Sequence, residues 1–216
     1  MFQLHHFHLS AASYRVRIAL EFKGLPWQSH FVSLVRGGGQ QLRPAYRSLN
    51  PQGLVPTLTD DDFVLSQSLA ILEYLEELHP QPSYFPHSPA LRARARQFAS
   101  LIVADIQSLT SLRVLAYLRL RVNASDEQRS LWIRQWLVEG LDALELWLTS
   151  QGGLHPFCVG TQISIADICL VPLMHAARRF ALPLDDFPRL CEVEAACLAL
   201  PAFQRAHPDN HPEPAS

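Results

Sequence analysis

Cysteine is scarce in this chain of 216 residues: there are four, and none precedes Cys158. Cys158, Cys169, Cys191 and Cys197 make no C-x-x-C pair, which argues against a disulfide framework or a zinc site and for ordinary buried thiols in a reducing cytoplasm. An excess of one charge is also missing. Eighteen Lys and Arg face twenty Asp and Glu, the formal net charge is −2, and charged residues make up 18% of the chain. Nonspecific nucleic-acid binding needs a strongly positive surface, so no nucleic-acid partner is expected. Arg92, Arg94 and Arg96 do not restore one, because steps of two fan around a helix axis. The first residues lack a basic n-region, and Ser10 to Arg17 interrupt any apolar run, so no signal peptide is expected. No apolar stretch approaches the ~18 residues of a membrane span, and no membrane partner is expected. Internal repeats are missing as well.

What is present is an alternation of strand and helix signals over the first eighty residues. Phe2 to Phe7 reads as a strand, and Tyr14 to Lys23 as a helix that stops at Gly24. Trp27 to Leu34 has a strand-like core. Arg36 to Gln41, with three consecutive glycines, reads as a loop, and Pro44 to Leu49 as a short helix. Thr57 to Thr59 and Phe63 to Leu65 fit two strands joined at Asp60-Asp61-Asp62, and Gln67 to Leu78 a helix. The order is βαβ, then α, ββ, α. Pro80, Pro82, Pro86 and Pro89 mark a linker over 81–89 between a domain at 1–80 and an all-helical domain at 90–216. In the latter, Leu91 to Val122 and Ser125 to Ser150 read as long helices, with the Trp132 and Trp136 stripe as core. Ser164 and Asp167 form a Ser-x-x-Asp capping box with Ile163 and Ile168 as its staple. Phe187 to Leu198 and Ala202 to Ala206 are shorter helices, and the tail from Pro208 reads as loose.

Three short segments carry possible chemistry. Ser10 stands just before the first helix, where its hydroxyl either caps the first turn or helps to hold an anion there. Val55-Pro56, ahead of a short strand, suits a cis peptide bond. Gln67-Ser68 opens another helix, a second place for an anion. His6 and His8 share a strand face, but no carboxylate or cysteine cluster accompanies them, so no metal site is expected.

Four stretches together resemble the glutathione transferase superfamily, and its zeta class in particular. They are Ser13-Tyr14-Arg15-Val16-Arg17-Ile18-Ala19-Leu20, the run from Leu49 to Leu58, the run from Gln67 to Glu77, and Ile165-Ala166-Asp167-Ile168-Cys169-Leu170-Val171-Pro172. The resemblance implies an α/β thioredoxin-like N-terminal domain followed by an all-α C-terminal domain, glutathione as cofactor, and a homodimer. It also implies a cytoplasmic enzyme of tyrosine and phenylalanine catabolism. By position, Ser10 matches the serine that hydrogen-bonds the glutathione sulfur, with Ser13 as its neighbour one turn along. Val55, before Pro56, matches the backbone partner of the cysteinyl unit. Gln67 and Ser68 match the residues that hold the γ-glutamyl carboxylate. Gln41 matches a residue at the glycine end, and Gln107 one contributed by the helical domain. Arg179 matches an arginine that holds a substrate carboxylate, with Arg15 and Arg178 as further candidates; a surface pairing of Arg179 with Asp185 or Asp186 is the alternative.

The physical demand fits such a site. A thiol of pKa ~8.5 is mostly protonated at neutral pH, and lowering it by about two units takes roughly 2.7 kcal/mol. A helix N-terminus supplies about 0.3–1 kcal/mol, and a hydrogen bond to a charged group about 1.5–3 kcal/mol, so the chemistry asks for a hydroxyl donor as well as the dipole. The chain departs from the zeta pattern on the substrate side. Ser10-Ala11-Ala12-Ser13 replaces a run richer in hydroxyls, Leu9 stands where an arginine is common, and Ser111 where an asparagine is common. The implied activity is cis–trans isomerisation of a maleyl-type diacid. Conjugation, dehalogenation or peroxide reduction on a less acidic substrate is the second reading, and a non-catalytic binding protein of the same fold the third.

Overall fold

The structure is a computed structural model that describes residues 1–150 and 155–214. The chain divides into two compact units: Met1–Ser83 joined by the segment from Ala199 onward, and Tyr84–Leu198.

The first unit is built on a four-stranded sheet in the order β2-β1-β3-β4. β1 (Phe2–His6) pairs in parallel with β2 (Trp27–Phe31), β3 (Thr57–Asp60) runs antiparallel to β1, and β4 (Phe63–Ser66) antiparallel to β3. Alternation along β1 buries Phe2, Leu4 and His6, as a period of two requires of a half-buried strand. α1 (Ala11–Lys23) follows, and Gly24 ends it in the left-handed region at φ 65°. α1 packs against both α3 (Ser68–Leu78) and α10 (Pro201–Ala206), so Ser13 to Leu20 are all buried. Two arginines therefore lie inside. Arg17 donates through Nε to the Ala206 carbonyl and through Nη2 to the His8 carbonyl, both at 3.0 Å. Lys23 is likewise enclosed, donating to Glu76 Oε2 at 2.7 Å and to the carbonyls of His79 and Pro82. Between β2 and β3, Arg36–Gly38 and Gln40–Leu42 form 3-10 turns where a loop was expected, and α2 (Pro44–Arg47) follows.

The tail differs from its sequence reading. The sequence pattern places it in a helical domain at 90–216 and makes it loose from Pro208. Instead α10 packs on α1, and Pro208–Asn210 forms a 3-10 turn. His211 lies against Trp27 at 5.5 Å between ring centroids and edge-on to His6 at 6.0 Å. The aromatic and cationic side chains of β1, α1 and β2 supply partners that no local periodicity reveals. Residues 215–216, the end of that tail reading, lie outside the described residues.

In the second unit, the single helix expected over Leu91 to Val122 is broken. α4 (Pro89–Ser100) passes into a π-helical turn at Leu101–Ile106 and a short α5 (Gln107–Leu109). The chain then breaks before α6 (Leu112–Arg121). Hydroxyls bond backward along the stretch that leads into the break. Thr110 Oγ1 donates to the Ile106 carbonyl at 3.1 Å, Ser111 Oγ to the Ser108 carbonyl at 2.9 Å, and Ser108 Oγ to the Ala104 carbonyl. Trp132 Nε1 takes the Leu109 carbonyl at 2.8 Å. Pro89–Arg121 does contain an eighteen-residue window of mean hydropathy 1.4, enough by length and composition alone to cross a membrane, contrary to expectation. α7 (Asp126–Ser150) buries Ile133, Leu137, Leu141, Leu144 and Leu148, while Trp132 and Trp136 are only half-buried. α8 (Ile165–Arg179) opens on the expected capping box. Asp167 Oδ2 accepts from Ser164 N at 2.7 Å, and its Oδ1 accepts from Cys158 N at 2.7 Å. α9 (Pro188–Leu198) packs on α7 and α8. All four cysteines are free thiols.

Two tests follow from this packing. Gly140 of α7 lies against the π-helical turn so closely that a Cβ there would sit 2.3 Å from Ile106 Cδ1 and Cγ1. Gly140→Ala should cost about 1–3 kcal/mol in urea unfolding. In an Ile106→Ala background, itself a costly core truncation, Gly140→Ala should cost much less than it does alone; two costs that simply add would show that the contact is not the cause.

The second test concerns protons. His6 is 1% exposed, with Nε2 at 2.7 Å from Ser29 Oγ and Nδ1 at 3.3 Å from Arg17 Nη1. Burial, and then the Arg17 cation, lower its pKa to about 3; burial and the stacked His30 lower that of His5 to about 4. In the unfolded chain both imidazoles titrate near ~6.5. The stability they contribute is therefore present above that pH and is lost as pH falls toward 4 and below, because the unfolded chain binds the protons. Urea unfolding at pH 7 and pH 5 should show this slope, and His6→Gln should reduce it. A slope unchanged in His6→Gln would place the proton uptake elsewhere.

Candidate active site

The register of the sheet gathers the three chemistry-bearing segments. His5 of β1 stands opposite Thr57 of β3, and Thr57 opposite Ser66 of β4. The exit of β1 toward Ser10, the entry to β3 through Val55-Pro56, and the exit of β4 into Gln67-Ser68 thus lie side by side at one end of the sheet.

Ser10 is the N-cap of α1. Its Oγ accepts from Ser13 N at 3.2 Å, its carbonyl accepts from Tyr14 N at 2.9 Å, and its own N–H goes to the Phe7 carbonyl at 3.1 Å. The cap leaves the hydroxyl proton available to donate to an anion at the positive end of the helix. Capping and anion binding, alternatives in the sequence, are compatible at one oxygen. Ser13 is a different case. It is fully buried, and its Oγ accepts from Phe7 N at 3.4 Å, tying the end of β1 to α1. A substitute for Ser10 must reach a ligand, and Ser13 sits inside.

Val55-Pro56 is cis. The segment is gripped from one side. The Leu54 carbonyl accepts from Tyr46 Oη at 2.7 Å and from Asn50 Nδ2 at 2.8 Å. Thr57 Oγ1 lies 2.9 Å from Tyr46 Oη and 3.2 Å from Asn50 Nδ2. Burial raises the Tyr46 pKa, so the phenol keeps its proton. Between these anchored residues, Val55 makes no backbone hydrogen bond within the described residues. Its N–H and C=O are left for a peptide-like ligand.

Gln67 sits before α3 at φ 73°, its Nε2 donating to Gln52 Oε1 at 2.7 Å. Ser68 is 4% exposed, and its Oγ accepts from Arg15 Nε at 3.1 Å. Arg15 is 1% exposed. Sequence placed Arg15 among the substrate contacts; its burial places it beneath the N-terminus of α3, where its charge adds to the helix dipole and its Nε orients Ser68. Gln41 closes the set. Its Oε1 is buried with no hydrogen-bond partner among the described residues. Gly53, at φ 63°, lies so near that a Cβ there would be 3.0 Å from the Gln41 carbonyl.

In the second unit, Gln107 opens α5 directly after the π-helical turn. Arg179 ends α8, with burial lowering its pKa but leaving it cationic. Arg178, the other candidate, is engaged by buried Glu194 through two contacts of 2.5 Å. Among the described residues, no group of three His, Cys, Asp or Glu is arranged to hold a metal. Sequence reasoning missed Tyr46, Asn50 and Gln52, whose roles depend on how the chain folds back over 46–57. Asn50 and Gln52 lie inside the run from Leu49 to Leu58, but nothing in that run tells a side chain's hydrogen-bond partner.

These residues fit a tripeptide thiol. The site offers a hydroxyl donor at Ser10, an unused backbone edge at Val55, a helix N-terminus at Ser68 reinforced by Arg15, and at Gln41 a buried amide oxygen that can accept from a ligand N–H. Comparisons with known proteins agree. Residues 4–83 match the glutathione S-transferase N-terminal domain, and residues 134–201 its C-terminal domain. The maleylacetoacetate isomerase of Pseudomonas aeruginosa is 45% identical over 212 residues, covering 98% of each chain. Among solved structures, the holo form of a bacterial zeta-class maleylpyruvate isomerase superposes with a TM-score of 0.94 at 38% identity, covering 99% of this chain and 100% of the other. The maleylacetoacetate isomerase of Methylobacterium extorquens, solved with malonate and GSH bound, gives 0.94 at 37% identity over the same shares. The fold, the edge of peptide and hydroxyl groups at one end of the sheet, and this likeness over nearly the whole chain have one explanation: the chain belongs to the glutathione transferase family, in its zeta class.

Proposed function

We propose that this chain is a glutathione-dependent isomerase of maleyl-type diacids, as its relatives' names suggest. The observation that carries the reading is the Ser10 hydroxyl, which accepts from Ser13 N and keeps its own proton to donate at the mouth of α1. Glutathione, when bound, supplies a thiolate able to add reversibly to an activated double bond. Ser10 holds that sulfur in its charged form. Val55 pairs with the ligand's peptide unit, and Gln67 and Ser68 hold its γ-glutamyl end. Gln41 takes the glycine end, and Gln107 is a further ligand contact. Arg179 holds a carboxylate of the substrate. A buried carboxylate left unpaired costs several kcal/mol, and Leu9, Ala11 and Ala12 offer it nothing. The apolar first turn at Ala11 and Ala12 favours a second reading, conjugation of a less acidic electrophile.

The same reading includes a homodimer. It is supported by apolar side chains left uncovered in the single chain, among them Phe63, Val64 and Leu91, and by the low burial, 11%, of the most apolar window in Pro89–Arg121. Four free thiols suit the reducing cytoplasm in which we place the protein.

Ser10→Ala should abolish most isomerase activity and lower the thiolate absorbance of bound glutathione at neutral pH, with about 1 kcal/mol of stability lost from the cap. Ser13→Ala should lose stability instead and keep the thiolate signal. A thiolate titration unchanged in Ser10→Ala would remove Ser10 from its role.

Arg179→Ala should raise KM for a maleyl-type acid at least tenfold, about 1.4 kcal/mol, and leave KM for a neutral chlorinated aromatic nearly unchanged. Equal effects on both substrates would make Arg179 structural. Conjugation without isomerisation in the wild type would favour the second reading.

A further inference from the structure

The loop that carries Gln41 is poorly suited to hold its own shape. Gly37, Gly38 and Gly39 follow one another at φ 57°, 79° and 94°. Three glycines in succession have many unfolded alternatives, and ordering them is costly. The loop is tied at its base: Gln40 N donates to the Ser33 carbonyl at 2.7 Å, and Ser33 N to Gln40 Oε1 at 2.8 Å. Its outer turn is tied from elsewhere. Arg36, which opens that turn, meets Glu213 Oε1 through Nε at 2.9 Å and the Pro214 carbonyl through Nη1 at 3.3 Å. Glu213 arrives from a fixed platform. Two residues earlier, His211 packs on Trp27, and its Nε2 lies 3.0 Å from the Arg205 carbonyl. Asn210 Nδ2 donates to the Gln204 carbonyl at 2.8 Å. The tail is therefore a strap that runs from α10 across β2 to the glycine loop.

We infer that Glu213 is a positioning residue for glutathione: through Arg36 it holds the glycine loop in the shape that presents Gln41 to the ligand. The inference rests on the reading of Gln41 as a glutathione contact. Glu213 touches no reacting atom. A ligand that binds only the ordered loop is bound in proportion to the fraction already ordered, so loosening the strap weakens affinity and leaves the chemical step alone.

The test uses the full chain. In glutathione-free protein, Glu213→Gln should speed hydrogen exchange over residues 36–42. It should raise the glutathione Kd, measured by calorimetry, roughly three- to fivefold, the range of a partly exposed ion pair, with kcat at saturating glutathione unchanged. The exchanged pair Arg36→Glu with Glu213→Arg should restore both exchange and affinity. In a Gln41→Ala background, Glu213→Gln should add little to the Kd already raised by that change. Unchanged exchange in Glu213→Gln would overturn the strap. Faster exchange with unchanged Kd, where Gln41→Ala does weaken binding, would overturn the positioning role. An unchanged Kd in Gln41→Ala would overturn the reading of Gln41, and the positioning role with it, while the exchange rates still report on the strap.

Discussion

Thr57 is the point on which the ligand-binding end of the first unit depends. It is fully buried, its backbone sits between His5 and Ser66 in the sheet, and its hydroxyl is held by Tyr46 and Asn50. Through the sheet it sets where β1 and β4 end, and so where α1 and α3 begin. Through its hydroxyl it fixes Leu54 and Val55. A slip of one residue in the β1–β3 pairing would turn every side chain to the opposite face and separate Ser10 from Val55 and Ser68.

Around that register the unit buries three cations on one helix, and each is held by groups outside that helix. Arg15 serves Ser68, Arg17 serves Ala206 and His8, and Lys23 serves Glu76 and two carbonyls. Buried charge of this kind adds little to stability over well-packed apolar residues, but leaving one unpaired is costly. The arrangement therefore specifies which surfaces α1 accepts. α3 with Ser68 at its start, the carbonyls of His79 and Pro82 beyond it, and α10 with its carbonyl end at Arg17 complete it.

The sequence showed most of the first unit, because its strands and helices follow clear periods and its punctuation is strong. Gly24 stops α1, Asp61 and Asp62 turn between β3 and β4, and Ser164 with Asp167 opens α8. It failed where side chains act against periodicity. The apolar period from Leu91 to Val122 runs through Thr110 and Ser111, yet the helix breaks there and their hydroxyls bond backward. Arg15 carries a charge that suits a substrate contact, and only its burial shows that it works from beneath. Pro208, Pro212 and Pro214 resemble an untethered tail, because the partners that tether it lie at Trp27 and Arg36.

The division of the first unit between residues 1–83 and the segment from Ala199 onward bears on how it is made. A ribosome delivers the sheet, α1 and α3 early, yet Arg17 lacks the Ala206 carbonyl until residues 199–214 have been synthesised. The whole helical unit is made in between. Domains that form as they emerge generally do so from the N-terminus. Here the nascent first unit must wait with one flank of α1 uncovered, carrying a buried-type arginine and an apolar helix side in contact with water. An element made after the whole helical unit is thus the one that seals the first domain.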